Sequence, residues 1–263
     1  MALGLPDGIK GCLFDMDGVL TRTATLHASA WKQMFDEFLA EWRERSGQHL
    51  AAFDSDSDYD RYVDGRSRAD GTRAFLQSRG IHLPEGEESD PSGSHTVYGL
   101  SKRKNDLVLQ KLKEGGVGVF EDTLIYVRAV IDRGLKLAVV SASANTTQVL
   151  ESAGIADLFP VRVDGLVAAE RHLSGKPAPD MYLAGADALE LEPAEAAVFE
   201  DALAGVEAGR AGRFGFVVGV DRVGQRDELE RHGADVVVSE LTELLTESEP
   251  GRGGRIEGSS PPR

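Results

Sequence analysis

The sequence predicts an α/β fold: a parallel sheet covered by helices on both faces, with a helical domain inserted after the first strand. Three observations predict it. Short apolar, β-branched runs alternate with helical patterns in the C-terminal half, as in βαβ units. One such run, Gly11–Phe14, stands apart near the N-terminus, while the others begin after about Phe120. The stretch between them has helical periodicity and no convincing strand.

Strands are expected at Gly11–Phe14, Leu135–Val140, Ala196–Phe199, Phe214–Val220 and Ala234–Val238. Helices are expected between them at Thr123–Arg133, Asn145–Ala153, Pro179–Leu189, Ala202–Ala208 and Asp227–His232. In the insert, Trp31, Met34, Phe35, Phe38, Leu39 and Trp42 recur at three- and four-residue spacing, which makes one face of a helix apolar. Further helical pieces are expected at Arg68–Ser78 and Lys104–Lys113. Asp54–Asp60 reads as a solvated loop; it lacks the Gly and terminal Glu of a calcium loop. Pro84–Ser94, rich in Glu, Gly, Ser and Pro, reads as mobile. The expected division is a discontinuous sheet domain, 1–22 and 117–248, a helical cap, 23–116, and a disordered tail, 249–263.

Composition removes several classes of function. The 263 residues hold 29 Lys+Arg against 44 Asp+Glu, a formal charge of −15. Such an acidic chain is not expected to coat nucleic acid or an anionic membrane. Cys12 is the one cysteine, so neither an intramolecular disulfide nor a thiolate zinc cluster can form. There is no apolar run of membrane-spanning length and no leader pattern at the N-terminus, so a cytoplasmic protein is expected.

In an open parallel sheet, ligands bind beyond the carboxyl ends of the strands. The first predicted strand runs into Asp15-Met16-Asp17-Gly18, the second into Ser141-Ala142-Ser143 and the third into Glu200-Asp201. Four carboxylates meeting at one spot call for raised pKa values or a cation. Hard oxygen donors without His or Cys favour Mg²⁺, which commonly shares its shell with a substrate phosphate. Ser141, Ala142 and the backbone beyond them are candidate phosphate ligands, and Lys176, in a proline-stiffened loop, is a candidate partner for carboxylate or phosphate. Asp15 can attack phosphorus while Asp17, on the same side of an extended chain, moves the proton. The blander readings are an Asp-Gly turn at 17–18 and helix capping by Ser141 and Glu200-Asp201.

Phe14-Asp15-Met16-Asp17-Gly18-Val19-Leu20-Thr21 resembles the first motif of the haloacid dehalogenase superfamily, and Ser141, Lys176 and Glu200-Asp201 come in order as its other three. The resemblance runs from about Lys10 to Leu245 and implies a Rossmann-like core. The insert looks like the cap of beta-phosphoglucomutases, through Thr23, His27, Gly65-Arg66-Ser67-Arg68 and Arg103-Lys104-Asn105-Asp106. Ser141-Ala142-Ser143-Ala144-Asn145 and Lys176-Pro177-Ala178-Pro179-Asp180 carry the same likeness.

That family interconverts beta-D-glucose 1-phosphate and glucose 6-phosphate through a bisphosphate. By resemblance, Asp15 is the nucleophile and Asp17 the acid/base; Mg²⁺ is held by Asp15, Glu200, Asp201 and the Asp17 carbonyl. Ser141 and Lys176 hold the transferring phosphoryl group and Arg68 the distal phosphate. His27 lies near Asp17 and Lys104 faces the sugar, with Thr23, Ser143 and Asn145 completing the substrate side. Three positions depart from the pattern: Arg22 stands where the family often has Asp, Asp64 where it often has Lys, and Ala144 where it has Lys. The expected partner is a small sugar phosphate, with no nucleic acid and no membrane, and the expected state is a monomer or at most a weak dimer. The runner-up is a sugar-phosphate phosphatase using the same nucleophile. A non-catalytic phosphosugar-binding regulator ranks below both, because no core group is missing.

Overall fold

A computed structural model describes residues 2–246, so the tail expected at 249–263 lies outside the described residues. Six parallel strands form one sheet: β1 (Gly11–Phe14), β2 (Lys136–Val140), β3 (Val161–Val163), β4 (Ala196–Glu200), β5 (Phe216–Val220) and β6 (Val236–Val238). Their order is β3-β2-β1-β4-β5-β6. The N-terminal strand is therefore central, and the direction of winding reverses at it. Every residue of β1 and β4 is buried, as expected of strands covered on both faces.

Side-chain alternation divides the core in two. Cys12 and Phe14 face one apolar cluster, with Tyr126, Val127 and Val130 of α4 (Glu121–Asp132). Leu13 faces the other, with Tyr182 of α7 (Asp180–Ala188), Val206 of α8 (Leu203–Ala211) and Leu229 of α9 (Arg226–His232). The short α5 (Thr146–Ser152) and α6 (Gly165–Glu170) flank β2 and β3.

Between β1 and β2 lie α1 (Ala24–Ser46), α2 (Arg68–Ser78) and α3 (Val97–Gly115), with a π-helical turn at Tyr59–Val63 and no strand among the described residues. The predicted stripe is buried as a third cluster, where Phe35 lies 4.0 Å from Phe75 and 5.2 Å from Trp31, ring centre to ring centre. Gly47, at φ 72°, ends α1 in the left-handed conformation that favours glycine. Ser67 caps α2 by accepting the Asp70 N–H at 3.2 Å, and Thr96 caps α3 by accepting that of Gly99 at 3.0 Å. The chain enters and leaves this segment side by side: Arg22 N–H donates to the Gly118 carbonyl at 2.8 Å, and Phe120 N–H to that of Leu20 at 3.1 Å. The Phe120 ring lies between two guanidiniums, Arg22 at 4.4 Å and Arg222 at 3.8 Å.

Several expectations change. β3 has three residues with Arg162 in the middle, too short and too polar to read as a strand. The helix expected at Lys104–Lys113 begins seven residues earlier, where Thr96 provides its cap. Leu135 belongs to the turn after α4, and Phe214 to the turn after α8, so their strands begin later. Within Asp54–Asp60, Asp58 is buried rather than solvated: it accepts the Asp54 N–H at 2.9 Å and pairs with Arg79.

Candidate active site

Because β2, β1 and β4 are neighbours, the residues just past their carboxyl ends lie together. Asp15 leaves β1 with its N–H donating to the Phe199 carbonyl at 3.0 Å. Glu200 is the last residue of β4 and Asp201 comes next. Ser141 leaves β2 with its N–H on the Val163 carbonyl at 3.0 Å. Gly18, at φ 85°, turns the chain back against Asp201; a Cβ there would lie 1.7 Å from the Asp201 Oδ2, so only glycine fits.

Lys176 is the buried cation at the centre. Its Nζ donates to Asp15 Oδ1 and to Glu200 Oε1. Burial alone would lower the ammonium pKa, but the Asp15 and Glu200 carboxylates override it and hold the lysine charged. Burial raises the Asp15 carboxyl well above its ordinary value; Lys176 opposes this, and Glu200 and Asp17 add to it. Burial likewise raises Asp201, reinforced by Asp64 and Glu200. Three buried carboxylates, Asp15, Glu200 and Asp201, each offer an oxygen within 4.8 Å of the others. This is a hard, all-oxygen donor set with an excess of negative charge that Lys176 alone does not offset, and it fits Mg²⁺.

The helical segment supplies the other wall. Thr23 occupies the N-cap of α1, yet its hydroxyl donates to Asp17 Oδ1 rather than capping the helix. His27, one turn on, places Nε2 3.6 Å from the same oxygen. Lys104 Nζ donates to His27 Nδ1 at 2.8 Å and lies 4.8 Å from the Trp31 ring centre. With Nδ1 accepting, the neutral ring carries its proton on Nε2, facing Asp17. Burial, then the Lys104 charge, lower His27 to about 4, so it is neutral at pH 7. Burial, then Arg68, lower Lys104 to about 7. The side chains of Arg66 and Arg68 border the pocket without an ion-pair partner among the described residues. Asn145 Nδ2 donates to Asn105 Oδ1 at 2.8 Å, joining the loop after β2 to α3.

Residues 9–213 match the family described as haloacid dehalogenase-like hydrolase. The chain belongs to this family. The Beta-phosphoglucomutase of Mycobacterium bovis is 53% identical over 246 residues, covering 92% of this chain and 94% of that one. The Beta-phosphoglucomutase of Bacillus subtilis is 28% identical over 245 residues, covering 91% and 93%. The crystal structure of beta-phosphoglucomutase from Clostridium difficile shares the fold, with a TM-score of 0.71 and 24% identity over 90% of this chain and 93% of that one.

In this haloacid dehalogenase-like enzyme, Asp15, Asp17, Ser141, Ala142, Ser143, Asn145 and Asp201 line one pocket with His27, Arg68 and Lys104. Thr23, Lys176 and Glu200 stand behind that wall, in contact with Asp17 or Asp15 directly or through one another. Ser141 does not cap α5: its hydroxyl accepts the Ser143 N–H at 3.2 Å. Glu200 accepts the Ala202 N–H at 3.0 Å, just ahead of α8. Trp31, expected only as core, is both core and pocket floor. Tyr59 lines the pocket and carried no signal, because its π-helical turn has no sequence pattern. Asp64 faces the site, in keeping with its place just before Gly65-Arg66-Ser67-Arg68.

Proposed function

We propose that this enzyme is a Mg²⁺-dependent phosphoryl-transfer enzyme acting through an aspartyl-phosphate, and that it interconverts beta-D-glucose 1-phosphate and glucose 6-phosphate through a bisphosphate. The observation that carries the reading is that Asp17 accepts a hydrogen bond from Thr23 of the helical segment, with His27 close by, while Asp15 is held by Lys176 from the loop before α7. Proton transfer is thereby tied to the seating of residues 23–116, which act as the cap, on the core formed by 1–22 and 117–248. The 53% identity to a Beta-phosphoglucomutase across 92% of the chain supports the same reading.

An Asp15 oxygen attacks phosphorus, the phosphorus–oxygen bond to the sugar breaks, and Asp17 gives its proton to the departing oxygen. The phosphoryl group on Asp15 then passes to an acceptor hydroxyl, whose proton returns to Asp17. Mg²⁺, held by Asp15, Glu200, Asp201 and the Asp17 carbonyl, would offset charge on the transferring group. Ser141, Ala142 and Lys176 hold that group, and Arg68 takes the distal phosphate. Lys104, Ser143 and Asn145 face the sugar. We place the enzyme in the cytoplasm, as a monomer or at most a weak dimer. No described helix is long and apolar enough to cross a membrane.

Asp64 favours a second reading, a sugar-phosphate phosphatase. It adds one more half-buried carboxyl near Glu200, Asp17 and Lys176 and so opposes a doubly phosphorylated intermediate. One assay separates the two. The enzyme receives beta-D-glucose 1-phosphate, a trace of glucose 1,6-bisphosphate and Mg²⁺, and glucose 6-phosphate and free phosphate are measured together. Fast glucose 6-phosphate with little phosphate is expected, and Asp15→Asn lowers it by about 10³-fold or more. Phosphate without glucose 6-phosphate makes the enzyme a phosphatase.

A further inference from the structure

Tyr182 is a buried phenol that the proposed reaction does not use. It sits in the first turn of α7, six residues after Lys176, and both groups reach the same carboxylate oxygen. The Tyr182 hydroxyl donates to Glu200 Oε1 at 3.0 Å. Its ring centre lies 5.0 Å from Lys176 Nζ, and its edge packs on Phe214, 5.9 Å away at 70°. Glu200 Oε2 accepts the Ala202 N–H at 3.0 Å. A Cβ on Gly205 would lie 1.8 Å from Oε1, so the missing side chain at Gly205 leaves room for the Glu200 carboxylate.

Lys176 donates to two carboxylates at once, Asp15 and Glu200. With only Lys176 on Oε1, Glu200 competes with Asp15 for a single buried ammonium. The Lys176 and Glu200 side chains are fully buried, so such competition is weakly screened. A neutral donor on Oε1 relieves it and fixes the rotation of the carboxylate.

We infer that Tyr182 is a positioning residue: it holds Glu200 in the orientation that ligates the metal and leaves Lys176 shared with Asp15. The inference rests on the Mg²⁺-dependent function proposed for this site. Hydrogen-bond partners behind a metal ligand commonly alter metal affinity 10- to 100-fold when removed.

The test is calorimetric titration of Mg²⁺ into substrate-free enzyme, for wild type, Tyr182→Phe and Phe214→Leu, with thermal unfolding of each. Tyr182→Phe keeps the ring and removes only the donor. Its Mg²⁺ Kd is expected to rise about 10-fold or more. Phosphate release from acetyl phosphate is expected to need correspondingly more Mg²⁺. Phe214→Leu disturbs the ring's packing without touching Glu200, so its Mg²⁺ Kd should stay within about twofold of wild type while its unfolding temperature falls. The inference fails if Tyr182→Phe binds Mg²⁺ like wild type, or if Phe214→Leu weakens binding as much. Wild-type enzyme that binds no Mg²⁺ sinks the metal reading and this inference together, whereas a wild type that binds and an unchanged variant sink this inference alone.

Discussion

Lys104 shows how much a single side chain can be held away from its ordinary state. It is buried against Trp31 and His27, and burial, then Arg68, lower its pKa to about 7 from 10.5. In the unfolded chain it keeps its ordinary value. Between about pH 7 and 10.5 the unfolded chain therefore holds a proton the folded one lacks, and stability rises with pH across that window. Below pH 7 both states are protonated and the full cost of the buried charge is present. Lys104→Met is expected to stabilise the substrate-free enzyme by about 1–3 kcal/mol at pH 6, a gain mostly lost by about pH 10. Urea unfolding at the two pH values measures it; a gain independent of pH refutes the assignment. The same variant should lose sugar-phosphate turnover, since the lysine faces the pocket.

Residues of this kind divide by how far the sequence reveals them. Asp15, Asp17, Ser141, Lys176, Glu200 and Asp201 are legible because each lies just past a strand or sits at a fixed place in an ordered set of motifs. Tyr182 is not. It lies on a helix among apolar neighbours, and only the packing of α7 on the sheet brings its hydroxyl to Glu200.

At the scale of elements, periodicity finds what is long and amphipathic. The stripe on α1 predicts a helix and its buried face, and Phe35 lies at the centre of that face, against Phe53 and Phe75. Phe35→Ala should cost about 3–5 kcal/mol by leaving a cavity among rigid rings. Because α1 also carries Thr23 at its cap and His27 in its first turn, turnover should fall further than the loss of folded protein explains. Activity corrected for folded fraction by circular dichroism decides this, and full activity per folded molecule would sever α1 packing from the site. Short elements escape the same reasoning. β3 and the Tyr59–Val63 turn have three and five residues, fewer than a period argument needs. They are held by neighbours: β3 by pairing with β2, the turn by packing on α2.

For the whole molecule, the central fact is that the acidic site lies where the sheet meets the helical segment. Asp15, Glu200 and Asp201 come from the sheet, while Thr23, His27 and Asp64 face them from the helical segment. A cation that binds the folded cluster and not the unfolded chain stabilises both. Mg²⁺ at about 100 times its Kd should add about 2.7 kcal/mol, or roughly 5–10 °C in unfolding temperature, and EDTA should remove it. The raised carboxyls of Asp15 and Asp201 hold protons that compete with the metal, so the gain should shrink as the pH falls. Differential scanning fluorimetry with and without Mg²⁺, at pH 8 and pH 5.5, tests both statements.

Residue order alone specified the fold class, the separation of one strand from its partners by a helical insert, and the polar groups at the ends of three strands. These come from local rules: residue type, spacing and the geometry of a parallel sheet. Packing in three dimensions specified the rest. It set Thr23 to serve Asp17 instead of its own helix, and it turned the Tyr182 ring toward Lys176. It also brought Asp64 to the acidic cluster. Each of these depends on distances between elements remote in sequence, and such distances are fixed by how whole surfaces pack, which no local pattern encodes.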